Sequence, residues 1–208
     1  MSFNNPSPKQ DSYLRQHSDD SNQGANPLLQ IKSDETNRPV ISFDESSIAS
    51  AAAGKTLQSA TLRLHINDMG NNWKTTGRTV EVHRLLSDWV EGNGWSVGNT
   101  IRGTGTGVTW NCAADTNITN THSDCTTKWN GGNFVSTPTA SVLVKNGMIG
   151  QWLEFDVTPD VSSFLTGTPN DGWIIKKANE GLNGTARFDS REAATNSPEL
   201  VLVFGPPP

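Results

Sequence analysis

Seven tryptophans are the residues of this chain best suited to chemistry at a surface. Trp73 sits in GNNWKTTG, Trp95 in EGNGWSVGN and Trp129 in TTKWNGGN, all among Gly, Asn and other polar residues. An indole flanked in this way can stack on the apolar C–H face of a sugar ring while polar neighbours bond the hydroxyls. The plainer reading makes these rings loop anchors at the edge of the fold. Lys74 and Lys128 adjoin two of them, and Arg187 and Arg191 lie at the FDSRE segment just before the final strand, Arg187 immediately ahead of it. A guanidinium forks onto a carboxylate, which would suit a uronic acid. The alternative pairs Arg191 with Glu192 to tie the last strand to a loop. Trp89, Trp110, Trp152 and Trp173 lie in or beside strand-like segments and read as core.

Metal and catalytic signals are thinner. Asp19, Asp20 and Asn22 alternate oxygen-bearing side chains in DDSNQG, a spacing that a turn can wrap around one structural Ca²⁺. No bidentate Glu follows at the offset of a full calcium loop, and a solvated turn with Asx bonds is the other reading. Asp11, Asp44 and Asp189 are further carboxylates from separate segments. Glycoside hydrolysis needs two carboxylates across a cleft. Asp88, Glu91 and Asp156 sit in no such motif, and no Gly-X-Ser-X-Gly occurs. His65 and His83 alternate with apolar residues on strands and would meet only if their strands did. The chain reads as no enzyme.

Cys112 and Cys125 lie 13 positions apart in a segment without periodicity, too few ligands for a zinc site. A loop-stapling disulfide is expected, worth about 3 kcal/mol in the chain-entropy model; two free thiols are the alternative. A disulfide and a polar, lysine-poor surface fit a secreted or cell-surface protein. Met1 opens a polar segment, so export requires a signal that was removed or lies upstream. GPPP at the end resembles the start of a proline-rich linker.

These residues need elements to hold them. The 208 residues include 19 Gly and 11 Pro, with 33% hydrophobic and only 18% charged residues, a poor composition for a helical bundle. A formal charge of −5 gives no basic footprint for nucleic acid, and no apolar run approaches a membrane span. Strand signals recur at Ser12–Gln16, Leu28–Lys32, Val40–Phe43, Leu62–Ile66, Val80–Val82, Val142–Val144, Leu153–Val157, Trp173–Ile175 and Leu200–Phe204. Trp173–Ile175 and Leu200–Phe204 are apolar on both faces, as central strands can be. SSIASAAAGK reads as a small-residue turn. Thr158 and Pro159 open one short helix through Leu165, and a helical turn is expected at Leu85–Trp89. The segment from Gly92 to Thr139 is too polar for a core and too long for an ordinary loop. The expectation is one all-β domain, an antiparallel jelly-roll sandwich over residues 11–204, with an arm at 1–10 and a tail at 205–208.

Eight segments carry a family resemblance in this order: DSYLRQ, NRPVISFD, SATLRLHI, VHRLLSDWVEGNGW, GVTWNC, WLEFDVTPDVSSFLTG, NDGWIIKK and FDSREA. Together they resemble the DNRLRE-type extracellular domain, also described as carbohydrate-binding module family 96, over Asp11 to Phe204. The name-giving motif appears here as TNRPVISFD. The resemblance implies a jelly-roll-like sandwich, as in microbial surface proteins and polysaccharide-acting enzymes of the disaggregatase group. For some members it implies binding of acidic polysaccharide, and it supplies no catalytic centre. The expected function is a non-catalytic carbohydrate-binding module, with polysaccharide as partner. The alternative is an adhesive surface domain that assembles with copies of itself through strand pairing or its N-terminal arm.

Overall fold

A computed structural model describes residues 1–95 and 101–206. Strand β5 (Thr56–Met69) organises the fold because it belongs to two sheets. Its first ten positions pair with β11 (Glu199–Gly205) and β8 (Trp152–Asp156), and β1 (Ser2–Asn4) closes the edge beyond β11. Its last residues cross into the second sheet and pair with β10 (Thr185–Asp189). That sheet continues through β3 (Leu28–Lys32), β4 (Asn37–Phe43), β9 (Trp173–Lys177), β6 (Arg78–Arg84) and β7 (Ala140–Val144), and β2 (Pro8–Arg15) also pairs with β4. The pairings are antiparallel, as a sandwich of the expected class requires.

Alternation decides what β5 buries. Ala60, Leu62, Leu64 and Ile66 point into the core, and Thr61, Arg63 and His65 point out. Each buried Leu or Ile contributes about 1.5–3 kcal/mol over the exposed state. Phe43, Phe155, Phe188, Phe204, Trp73 and Trp173 complete this core from both sheets.

The two-faced strands have a second use. Trp173 and Ile175 of β9 face the main core, whereas Ile174 faces outward into a second cluster with Leu14, Val40, Leu85, Trp89, Val108 and Trp110. The segment between β6 and β7 supplies four of these residues and builds a small core over the outer face of β2, β4 and β9. Leu85 and Trp89 precede the stretch from Gly92 to Thr139; that stretch, expected to be too polar for a core, adds Val108 and Trp110. Its few apolar residues suffice because the sheet beneath provides the rest.

Polar contacts fasten this cover. Asn22, fully buried, donates to Glu91 O (2.7 Å) and Val108 O (2.8 Å) and accepts from Gly24 N (3.1 Å) and Gly94 N (2.7 Å). A Cβ on Gly24 would come within 2.4 Å of two carbonyl oxygens of the cover, so only glycine fits the crossing. Arg38, the arginine of TNRPVISFD, forks onto Glu180 (2.8 Å and 2.8 Å) and donates to Gly131 O (2.6 Å). Cys112 and Cys125 form the expected disulfide, with Cα atoms 5.9 Å apart.

Some local expectations are corrected. SSIASAAA is a helix, α1 (Glu45–Ala52), because Asp44 accepts from Ser47 N (2.9 Å) at its start and Ile48 and Ala51 bury one face. The helix at Thr158–Leu165 (α2) forms as expected, with Val161 and Phe164 buried, and its cap residue is Val157. Leu85–Trp89 is not helical: Leu85 bridges to Phe134 and Trp89 drops into the second core. Part of the expected arm is strand, since Phe3 pairs opposite Val203 and β2 begins at Pro8. Gly205 ends β11; Pro207 and Pro208 of the expected linker lie outside the described residues.

Candidate functional site

The outer face of β10 and β3 carries the chemistry that the sequence suggested. On β10, Ala186 and Phe188 point inward, which turns Arg187 out. The register sets Arg187 opposite Gln30 of β3 and opposite Asp68 of β5. Arg187 pairs with Asp68 through one of its nitrogens, leaving further donors of a five-donor fork for a second acceptor. Gln30 is held by Asn37, which donates to its Oε1 (2.6 Å).

Trp95 comes to the same place from the cover. Its backbone N–H donates to Ile101 O (2.8 Å), and Trp95 lines a groove of about 200 Å³ with Tyr13, Asn26, Leu28, Gln30 and Arg187. The Tyr13 hydroxyl accepts from Asn26 Nδ2 (3.4 Å), and burial pushes its pKa up to about 12, so it stays a neutral phenol. Asn26 in turn accepts from Leu28 N (3.0 Å). The groove thus offers an indole, a guanidinium and the Gln30 amide in one concavity, with Asn26 bonded to Tyr13, Gln23 and Leu28 beneath them. It is smaller than the roughly 300–1,000 Å³ of drug-sized pockets, on the scale of a single ring unit of an open chain.

The other expected contacts do not gather there. Trp73 is fully buried in the main core, its Nε1 donating to Thr185 O (2.9 Å) and the Lys177 ammonium 5.0 Å from its ring centre. That corrects its reading as a stacking platform: no face is left for a sugar. Trp129 is half-buried against the second core, and its Nε1 donates to Thr109 O (3.0 Å). Lys74 and Lys128 are exposed and, among the described residues, have no ion-pair partner. Arg191 is committed elsewhere. It donates to Lys9 O, to Glu91 Oε2 (3.1 Å) and to Glu192 Oε1 (3.1 Å), and its backbone N–H reaches Asp11 Oδ2 (2.8 Å). The expected Arg191–Glu192 tie exists as part of this larger clasp.

Trp152 departs from its core reading. It is half-exposed on β8, with the Arg63 guanidinium 4.6 Å from its ring centre and His65 at its edge.

The expected calcium loop has few free ligands: Asp20 pairs with Arg102 through Oδ2 (2.6 Å), and both Asn22 side-chain groups are spent on the cover. Asp19 is exposed beside them, and a polar groove of about 360 Å³ lies there, with no indole or phenol in its wall. Of the other carboxylates, Asp44 caps α1, and Asp189 holds His65 (2.6 Å) and Asn67 (2.8 Å). His83 bonds Val135 O and Glu81, so the two histidines serve different networks. Asp156 bonds Thr158 at the start of α2, Asp88 is exposed near Asp171, and Glu91 belongs to the clasp.

Burial, then repulsion from Glu192, pushes the Asp11 carboxyl well above its usual range. Burial pushes Glu91 up to about 7.

A fold of sheets with an aromatic, cation-bearing groove suits several ligand classes. The sequence of its C-terminal half adds a comparison. Residues 102–204 match the family model of carbohydrate-binding module family 96. The match takes in GVTWNC, WLEFDVTPDVSSFLTG, NDGWIIKK and FDSREA, and also Arg187, the residue before FDSREA. The similarity to family 96 drawn from the motifs is thereby shown over this stretch, which resembles a carbohydrate-binding module. No curated protein matches the chain. No helix is long and apolar enough to cross a membrane among the described residues.

Sequence reasoning missed Tyr13, Asn26 and Gln30 of the groove. Their only signal was the alternation of β3, which puts Gln30 on the face opposite Leu29 and Ile31.

Proposed function

We propose that the chain is a non-catalytic carbohydrate-binding module that takes a polysaccharide at the Trp95–Arg187 groove. The observation that carries this reading is the convergence of an exposed-side indole and a guanidinium from segments 92 positions apart on one open face. The ring stacks on a sugar C–H face, Gln30 meets a hydroxyl, and Arg187 favours a unit bearing a carboxylate. The net charge of −5 opposes long-range attraction of a polyanion, so recognition of an acidic sugar rests on this local cation. Such a protein works outside the cell, where the disulfide persists.

The test is a glycan array that includes alginate-like and chondroitin-like polymers, followed by calorimetry of the hits. Trp95→Ala and Arg187→Ala are each expected to weaken binding several-fold, about 1 kcal/mol for a stacked ring. Wild-type affinity in both variants would remove the site, and an array without hits would remove the function.

The self-assembly reading has one supporting feature. β1 leaves a free edge on the first sheet, with Phe3 71% exposed. That edge is only three residues long, a length that blunts pairing between sheets. Sedimentation of the chain, with and without residues 1–7, tests it.

A further inference from the structure

Asp11 of β2, Glu91 of the cover and Glu192 of the loop before β11 come from segments 80 and 101 positions apart, yet one oxygen from each lies within 4.8 Å of the others. Among the described residues, only Arg191 stands beside them as a counter-charge. With all three carboxylates ionised, one guanidinium leaves two negative charges uncompensated. Asp11 is 1% exposed, and its Oδ1 has no hydrogen-bond partner among the described residues. A buried acceptor left empty inside an acidic cluster costs free energy unless something fills it.

We propose that Asp11, Glu91 and Glu192 form a calcium site that locks the cover and the C-terminal loop onto β2. Calcium binds oxygen at 2.3–2.6 Å. The three oxygens lie within 4.8 Å of one another, close enough to share one such ion. Magnesium dehydrates reluctantly and is seldom held by an all-protein set of carboxylates. Each carboxylate oxygen that accepts from Arg191, Ser190 or Asp11 N keeps a second lone pair for the ion. The two positive charges cancel the surplus, and Asp11 Oδ1 gains a partner. Glu192 is exposed, which gives the ion a way in.

Thermal melting of the whole chain after EDTA treatment, then with added CaCl₂ or MgCl₂, reads the site without any sugar. The expected result is a saturable rise in Tm with calcium, one ion per chain by calorimetry, and a smaller rise with magnesium at equal concentration. Asp11→Asn and Glu192→Gln should each abolish the calcium response, and Asp20→Asn should keep it. If Asp11→Asn fails to fold, the exposed Glu192→Gln variant carries the test. The proposal is overturned if calcium neither binds nor shifts Tm in the wild type, or if Glu192→Gln responds as the wild type does.

Discussion

Arg38 forks onto Glu180 and lays its guanidinium 4.8 Å from the centre of the Trp110 ring. One side chain on β4 thus grips the loop after β9 by charge and the cover by stacking. Lysine at this position keeps the charge but has neither the fork nor the planar stack. Arg38→Lys is expected to cost on the order of 3 kcal/mol, as for a largely buried pair that loses its geometry. Urea denaturation measures the loss, and limited proteolysis should show faster cleavage within residues 101–139.

The disulfide should matter to the cover more than to the sheets. Replacing both Cys112 and Cys125 by Ser is expected to lower stability by about 3 kcal/mol. Intact mass under alkylation establishes the bridge in the wild type. Two alkylated thiols in unreduced protein would contradict it.

Trp73 and Trp95 should separate stability from binding. Trp73→Ala opens a cavity in the main core and is expected to cost about 3–5 kcal/mol. Trp95→Ala should stay within about 1 kcal/mol of wild type while weakening glycan binding. A stable Trp73→Ala protein would argue against the buried placement of that ring.

Lys177 should make stability depend on alkaline pH. Burial, with Arg78 adding repulsion and Glu180 opposing it, holds its pKa down to about 8 from 10.5. Its ammonium faces Leu182 O and Gly184 O and lies beside the Trp73 ring. Between about pH 8 and 10.5 the unfolded chain keeps a proton that the folded chain has released. Stability from this group therefore rises with pH across that window and is lost as pH falls toward 8. Urea midpoints at pH 8 and pH 10 check the sign. The stability of wild type relative to Lys177→Met should increase at the higher pH, and a constant difference would refute the shift.

Strands with clean alternation were legible in the sequence, β5 above all, because one face of each meets a core. β9 was legible as a central strand, but the layer that covers its outer face was not, since that layer's apolar residues are scattered over 26 positions from Leu85 to Trp110. Trp73 misled for a related reason: its neighbours are polar, and its burial depends on Thr185 and Lys177, more than 100 positions away. β10 went unseen because its outward residues are Thr185, Arg187 and Asp189, which read as a polar loop. In the groove, Trp95 and Arg187 were legible one at a time. Their meeting was not, because it depends on the register of β10 on β3. The Asp11–Glu91–Glu192 cluster was hidden in the same way, while the local spacing in DDSNQG pointed to a loop in which Asp20 and Asn22 already have partners.

The partners of β5 bear on what can be inherited or cut as a unit. The family match starts at residue 102, yet β8, β10 and β11 within it all pair with β5, which ends at Met69. A chain severed near residue 101 would leave those three strands without their common neighbour and would strip Ile174 of Leu14 and Val40. The matched half is therefore a fragment in the mechanical sense. Shuffling between larger proteins, whether by recombination or by a designer, must carry the N-terminal strands along with it.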